Sequence, residues 1–371
     1  MSERQPKGGS RAPFSFSRAR TSGRSMSVAR GLVPLCFAAL VVAIVLATVV
    51  AVSLGPVRVP LDVTGGIIAN HIAPGFFGPA GTPTENQIIW ELRLPRAILA
   101  LMVGAGLSLV GAALQAVVRN PLADPYLLGV SGGAAFGAVA VLVLGSSAIG
   151  AAPLSVAAFI GSMVATFAVY AIAQRHGRVT PTRLILAGVA IAYLFQAGYS
   201  YLLISAPSPQ GLQGVLFWLL GSLAMIRWDG LFIPVVVLLA GCLILFVYAR
   251  PLDALLTGDD TAVALGIDVQ RLRITLVLVT SLLTGVMVAV SGAIAFVGLI
   301  VPHFVRLIVG SAHRRVLPLA FLVGALLMQV VDTVSRTVKA PLELPLSVVT
   351  AAIGVPFFLW LLRNRSNTEA D

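Results

Sequence analysis

Charge is what this sequence has least of. Only 11% of its 371 residues are Asp, Glu, Lys or Arg, and 58% are hydrophobic; soluble domains average about 25% charged and about 45–50% apolar residues. With a mean hydropathy of +0.98, the chain is neither a soluble globular protein nor a disordered one. Cysteine is nearly absent: Cys36 and Cys242 lie inside apolar runs with no CxxC and no metal-ligand spacing. That excludes a disulfide scaffold, leaves no metal site to name, and reads as two small apolar side chains among helices or lipid. Lysine occurs only as Lys7 and Lys339, neither behind a glycine-rich loop, so there is no Walker A phosphate cradle. The four histidines (His71, His176, His303, His313) all lie near connections, which gives an intramembrane enzyme no nucleophile–base or metal constellation to work with.

What is abundant is apolar sequence with 36 Gly and 22 Pro, a composition that membrane helices tolerate because neighbours re-satisfy the backbone. At ~20 apolar residues per crossing, the length allows about ten spans and no large soluble domain. The fold class is therefore an all-α polytopic membrane protein. Charge-free runs place the spans, since charge is costly in the bilayer core. They are 31–57, 97–118, two within 125–174 broken near 145–150, 184–205, 230–249, 274–292, a short run at 296–309, 316–331 and 344–362. The polar, breaker-rich stretch 207–214 reads as a returning loop, followed by a short helix near 215–224. Residues 1–30 form a basic tail expected to be disordered, 31–365 a single membrane domain, and 366–371 a second short tail.

Orientation follows from Lys and Arg. With the N-terminus inside and ten spans alternating, the tail supplies seven inside basic residues. Arg119, Arg175, Arg178, Arg183, Arg250, Arg271, Arg273, Arg306, Arg314, Arg315, Arg363 and Arg365 join them. Arg58, Arg93, Arg96, Arg227, Arg336 and Lys339 fall outside. Six outside acids (Asp62, Glu85, Glu91, Asp229, Asp332, Glu343) cancel the outside charge, so the whole net charge of +11 falls inside. The positive-inside rule explains the basicity, and no nucleic-acid partner is needed. The expected location is the cell membrane, with both termini cytoplasmic.

No charge-free run holds an intramembrane carboxylate, the mark of a proton-coupled secondary transporter. His303, beside Arg306, reads as a buried polar cap. If ATP drives transport, the ATPase is another polypeptide. The longest inside loop, 250–273, carries Asp253, Asp259, Asp260 and Asp268 against the expected base excess. It reads as two short helices, Leu252–Leu256 ending at Gly258, and Thr261–Leu265 capped by Asp259 or Asp260 and ending at Gly266. Composition alone leaves a solvated connector and a coupling element equally open.

Several blocks in order resemble the FecCD-type permease family, the membrane subunits of ATP-binding-cassette importers for ferric siderophores, cobalamin and haem. They are Arg93-Leu-Pro-Arg96 leading into Gly104–Gly111 and Gln115; Arg119-Asn-Pro-Leu-Ala-Asp-Pro-Tyr through Ala134; Gly258–Gly266; Ser291–His303 with Arg306; and Asp332, Arg336, Glu343-Leu-Pro345 and Gly354-Val-Pro-Phe-Phe358. The chain departs from the family pattern at Leu346-Ser347, where Val-Gly is frequent, and at Val355, where Ala is.

The resemblance implies a type II importer permease of about ten helices that translocates a ferric-siderophore-type chelate, with cobalamin or haem as the alternative. It also implies two cytoplasmic ATP-binding subunits carrying ATP and Mg, an extracytoplasmic substrate-binding protein, and a second permease subunit, identical or homologous. It assigns no cofactor to this chain. It makes Arg93, Arg96 and Arg336 receivers of acidic residues from the binding protein, although Asp332 and Arg336, four apart, have each other as an alternative partner. It makes Leu252, Leu256, Gly258, Asp259, Asp260, Ala264, Leu265 and Gly266 the ATPase coupling loop, and Thr180, Pro181 and Thr182 candidates for a cytoplasmic gate. The glycines, including the Gly133/Gly137 pair, read as close-packing sites. An inverted repeat relating the second-to-fifth and seventh-to-tenth spans is implied as well.

Overall fold

The computed structural model describes residues 24–74, 81–145, 153–205 and 209–366. Most of the basic tail, the break after Gly145 and residues 367–371 lie outside them. The described helices are α1 (Arg24–Ser53), α2 (Leu61–Ile72), α3 (Pro83–Asn86), which runs through a π-helical segment Gln87–Arg93 into α4 (Leu94–Val117), α5 (Val130–Leu144), α6 (Leu154–Ala173), α7 (Pro181–Ile204), α8 (Pro209–Leu219), α9 (Phe232–Val247), α10 (Ala249–Thr257), α11 (Asp259–Ala264), α12 (Val269–Ser291), α13 (Val297–Val309), α14 (His313–Thr337) and α15 (Leu346–Ser366).

Among the described residues, seven helical stretches are long and apolar enough to cross a membrane, and α5, α13 and most of α15 are shorter apolar helices. Together they coincide with the ten charge-free runs. At 1.5 Å per residue, the 13 residues of α13 reach only about 20 Å, less than the ~30 Å hydrocarbon core. The helix is held among α4, α14 and α15 rather than bare in lipid. One expectation is corrected: α8 begins inside the stretch read as loop. Pro209 stands at its first turn, where a missing N–H costs nothing.

The centre of the bundle is α4, almost wholly buried, while α1 lies at the periphery. Small residues let neighbours reach the α4 backbone. A Cβ on Gly104 would meet the Gly324 carbonyl oxygen of α14 at 2.0 Å, and one on Gly111 the Gly298 carbonyl oxygen of α13 at 1.8 Å. Gly133 and Gly137 likewise turn α5 onto α6. The two short helices begin alike: each follows a residue in the left-handed region, Gly129 (φ 70°) before α5 and Phe296 (φ 71°) before α13.

Helix direction puts the loops 118–129, 174–180, 248–268 and 310–312 at one end, called the basic end for its arginines. The Arg93–Arg96 and Arg336–Glu343 segments lie at the opposite end.

Candidate functional site

At the opposite end the three arginines expected to receive acidic residues of a partner are turned inward. Arg93 and Arg96 are each 7% exposed and Arg336 4%. Arg96 gives Nε to Asp332 Oδ1 and a bidentate pair, Nη1 and Nη2, to Glu343 Oε1 and Oε2, all at 2.8 Å. Arg336 Nε lies 3.0 Å from Asp332 Oδ2, the i,i+4 pairing left open above. Its other nitrogens donate to the carbonyls of Leu54 and Ala51 at 3.2 and 2.9 Å. Arg93 donates to the carbonyls of Val52 and Ser53, each at 2.9 Å, and to that of Val57. The reason is local. The last turn of a helix leaves four carbonyls without intrahelical partners, and cations are favoured at that negative dipole end. Arg93 and Arg336 cap the C-terminus of α1, whereas Arg96 binds α4 to α14 and the 343 loop. Glu343, with a side chain 30% exposed, is the member nearest solvent.

The basic end holds the expected pair of short helices, which start three and two residues earlier than expected and end within one residue of it. α10 buries Leu252 and Leu255 and leaves Leu256 37% exposed. It is pinned to the start of α14 by Asp253 Oδ1, which accepts the His313 backbone N–H at 2.8 Å and lies 2.6 Å from its ring Nδ1. Burial raises the Asp253 carboxyl, but the hydrogen bonds from His313 outweigh it and hold the group below the usual carboxylate range. Gly258, at φ 125°, turns the chain into α11, a conformation that side chains rarely adopt.

The expected cap by Asp259 or Asp260 is not made: Gly258 is the N-cap, with no side-chain hydrogen bond. Asp259 turns away to Arg273 Nη2, at 3.0 and 3.1 Å, and lies 3.4 Å from Arg119 Nη2. An ion pair with a guanidinium that is 1% exposed outcompetes a solvent-facing cap. Asp260, Ala264 and Gly266 stay exposed, and the apolar Val263 and Leu265 stand 61% and 67% exposed.

Beside them lies an element the sequence reading did not contain. β1 (Gln174–Arg175) and β2 (Arg178–Val179) form a two-stranded hairpin, turned by His176 and Gly177 at φ 51° and 74°. Two positive φ angles match the twist of a two-residue hairpin. Thr180 is the N-cap of α7 and Pro181 its first residue, so the proline inside Thr-Pro-Thr has a helix-start explanation. Thr180 and Thr182 are exposed. Arg175, His176, Arg178, Thr180 and Arg183 line an open cavity of about 510 Å³.

Two further polar residues face inward. Arg306 donates to Gln115 Oε1 and to the Ala112 carbonyl, joining α13 to α4. His303 is 8% exposed and meets the Phe357 ring edge-on at 6.5 Å. Arg273 and Gln270 belong to no block that the sequence pattern marks, and the pairings of Arg119 with Asp259 and of Asp253 with His313 are foreshadowed by none. Each acts on a partner distant in sequence, and no spacing motif announces it.

The connection between α4 and α5 yields a pH prediction. Asp124 caps the Pro125–Leu128 turn, accepting the Tyr126 N–H at 2.9 Å. Burial pushes its carboxyl up to about 6 despite that hydrogen bond. A free aspartate titrates near ~3.9. The folded chain therefore binds this proton more tightly, and its contribution to stability falls as pH rises from about 4 to about 6 and is level above that. Asp124→Asn is expected to remove that slope from unfolding midpoints of the purified chain across the window. An unchanged slope would assign it to another group.

The sequence model of the FecCD transport family matches residues 33–364. The cobalamin import system permease protein BtuC of Halobacterium salinarum is 42% identical over 307 residues, 82% of this chain and 81% of that one. The hemin transport system permease protein HmuU of Yersinia pestis is 40% identical over 286 residues, 75% of this chain and 85% of that one. The Fe(3+) dicitrate permease protein FecD of Escherichia coli is 40% identical over 275 residues, 74% and 85%. A solved ABC transporter of metal-chelate type, described in an inward-facing conformation, superposes with a TM-score of 0.77 at 32% identity, covering 89% of this chain and 99% of its own.

Proposed function

The chain belongs to the FecCD transport family, and from that premise we propose that it carries a ferric-siderophore-type chelate from an extracytoplasmic binding protein to the cytoplasm. Membership makes it a multi-pass membrane permease of an ABC importer, a transport subunit rather than an enzyme. In this reading ATP and Mg reside on two cytoplasmic ATPase subunits, and a second permease subunit completes the path. The basic end faces the cytoplasm, as the 19-to-6 division of Lys and Arg favours, and both termini lie there.

One observation carries the coupling role. α11 is clamped from behind through Asp259 while the apolar Val263 and Leu265 stand exposed at the basic end. A rigidly held helix with an exposed apolar tip is suited to a groove on a soluble partner. The double variant Val263→Asp, Leu265→Asp is expected to weaken retention of the cognate ATPase about tenfold or more, as loss of a buried anchor does, with normal membrane insertion. Retention at the wild-type level would reject the role.

The binding protein docks at the opposite end, and Arg93, Arg96 and Arg336 are its proposed receivers. In that step a partner carboxylate joins or displaces Glu343 at the half-buried rim, since the arginines are already engaged. Thr180, Pro181 and Thr182 stand at the proposed gate. Cobalamin or haem is the second reading of the cargo, favoured by relatives of similar identity whose names give those substrates. Binding of the cognate binding protein to a ferric siderophore, cobalamin and haem in turn discriminates the two.

A further inference from the structure

Arg273 is buried to 1% and hydrogen-bonds two separate elements at once. Its Nη1 donates to the backbone carbonyl of Val179 at 2.8 Å, and its Nη2 to both carboxylate oxygens of Asp259 at 3.0 and 3.1 Å. One turn earlier on α12, Gln270 Oε1 accepts the Val179 N–H at 3.0 Å. Both polar groups of the Val179 peptide position are thus held by α12, and the Val179 side chain is itself buried to 1%. Val179 directly precedes Thr180, the N-cap of α7, and Asp259 opens α11.

The planar guanidinium offers fixed, diverging donors. α11 cannot shift away from α12 without either carrying the guanidinium, and with it the hairpin, or separating a charge pair in which one partner is buried, an unfavourable event. We propose that Arg273 is the positioning residue that transmits movement of α11 to the 174–179 hairpin and to Thr180-Pro181-Thr182. This rests on the reading of α10–α11 as the ATPase contact. A rigid donor on α12 shared between the hairpin and α11 is a physical route for coupling, as opposed to mere proximity.

The test uses the complete transporter, with its ATPase and binding protein, in proteoliposomes. Spin labels at His176→Cys and Thr261→Cys, both exposed positions, in a Cys36→Ser, Cys242→Ser background, report hairpin and α11 positions with and without ATP. In the otherwise unchanged chain both labels are expected to move together. In Arg273→Gln, ATP hydrolysis is expected to stay within about twofold while solute moved per ATP falls about tenfold, a typical coupling between sites. The α11 label then moves on ATP binding and the hairpin label does not. Arg273→Lys, which keeps the charge but cannot span both partners, is expected to keep assembly without restoring the ratio.

An unchanged solute-to-ATP ratio, or a hairpin label that still follows α11, would overturn the proposal. Should Arg273→Gln fail to assemble, Gln270→Ala takes its place. It loosens only the Val179 amide and is expected to lower the same ratio; an unchanged ratio would overturn the proposal. A failure of the underlying reading looks different. The unsubstituted chain would then neither retain an ATPase nor move solute on ATP.

Discussion

Arg96→Ala is expected to lower the stability of the folded chain by about 3–5 kcal/mol, the usual result of removing one partner from a buried ion pair. The cause is the carboxylate left behind. Asp332 is fully buried, and its hydrogen bond comes from Arg96 Nε at 2.8 Å. Its remaining neighbour, Arg336 Nε at 3.0 Å, forms an ion pair without hydrogen-bond alignment. Glu343 would lose its bidentate partner too but is 30% exposed and can turn to water. The measurement is the unfolding midpoint and the monodisperse yield in detergent. A midpoint for Arg96→Ala equal to that of the unsubstituted chain would mean that the network contributes nothing to folding. The same geometry warns against testing docking by reversing these arginines, since a lost fold would imitate a lost partner.

The second large effect is expected at Gly111→Val. The first added carbon would stand 1.8 Å from the Gly298 carbonyl oxygen and 2.5 Å from its carbonyl carbon. Both are backbone atoms, so no rotamer change relieves the clash and α13 must move off α4. Overpacking of a tight core costs about 1–3 kcal/mol and occasionally more, and the upper part of that range is expected because the obstacle is main chain. Limited proteolysis and gel filtration of the purified variant would register it as loss of the compact form. Gly65→Ala is the control: nothing lies within 4 Å of its added carbon. Within α2 that change is expected to be neutral or stabilising by about 0.4–1 kcal/mol. Equal behaviour of the two variants would reject the close-packing account of α4.

Much of the architecture was legible because the bilayer writes a one-dimensional rule into the chain. Charge-free runs located all ten membrane-length or shorter apolar helices among the described residues, including α13, whose run 296–309 is short already in the sequence. The Gly258 and Gly266 stops of the short helices were legible for the same reason, since they are local turn chemistry. The helical start of α8 was hidden by breaker residues that also suit a first turn. The hairpin at 174–179 was hidden because two residues per strand leave no period to read.

The candidate site divides in the same way. That Arg93, Arg96 and Arg336 matter could be seen from their rarity at one end and from the family pattern. That they are spent on α1's last carbonyls and on Asp332 and Glu343 could not, for the partners lie up to 285 residues away. Asp259 is the sharpest case. Its position after Gly258 reads as a helix cap, yet its carboxylate goes to Arg273.

The sequence by itself determined the solvent, the number and order of the spans, the unequal charge of the two ends, the family, and the loop that stands apart from its basic surroundings. These follow from hydropathy, from charge counts and from residues close together along the chain. Only the tertiary structure decided which arginines are buried and what they hold. A guanidinium satisfied by backbone carbonyls such as those of Val179, Ala51 and Val52 meets groups that every residue carries, and a partner with no side-chain signature leaves no trace in a string of side chains.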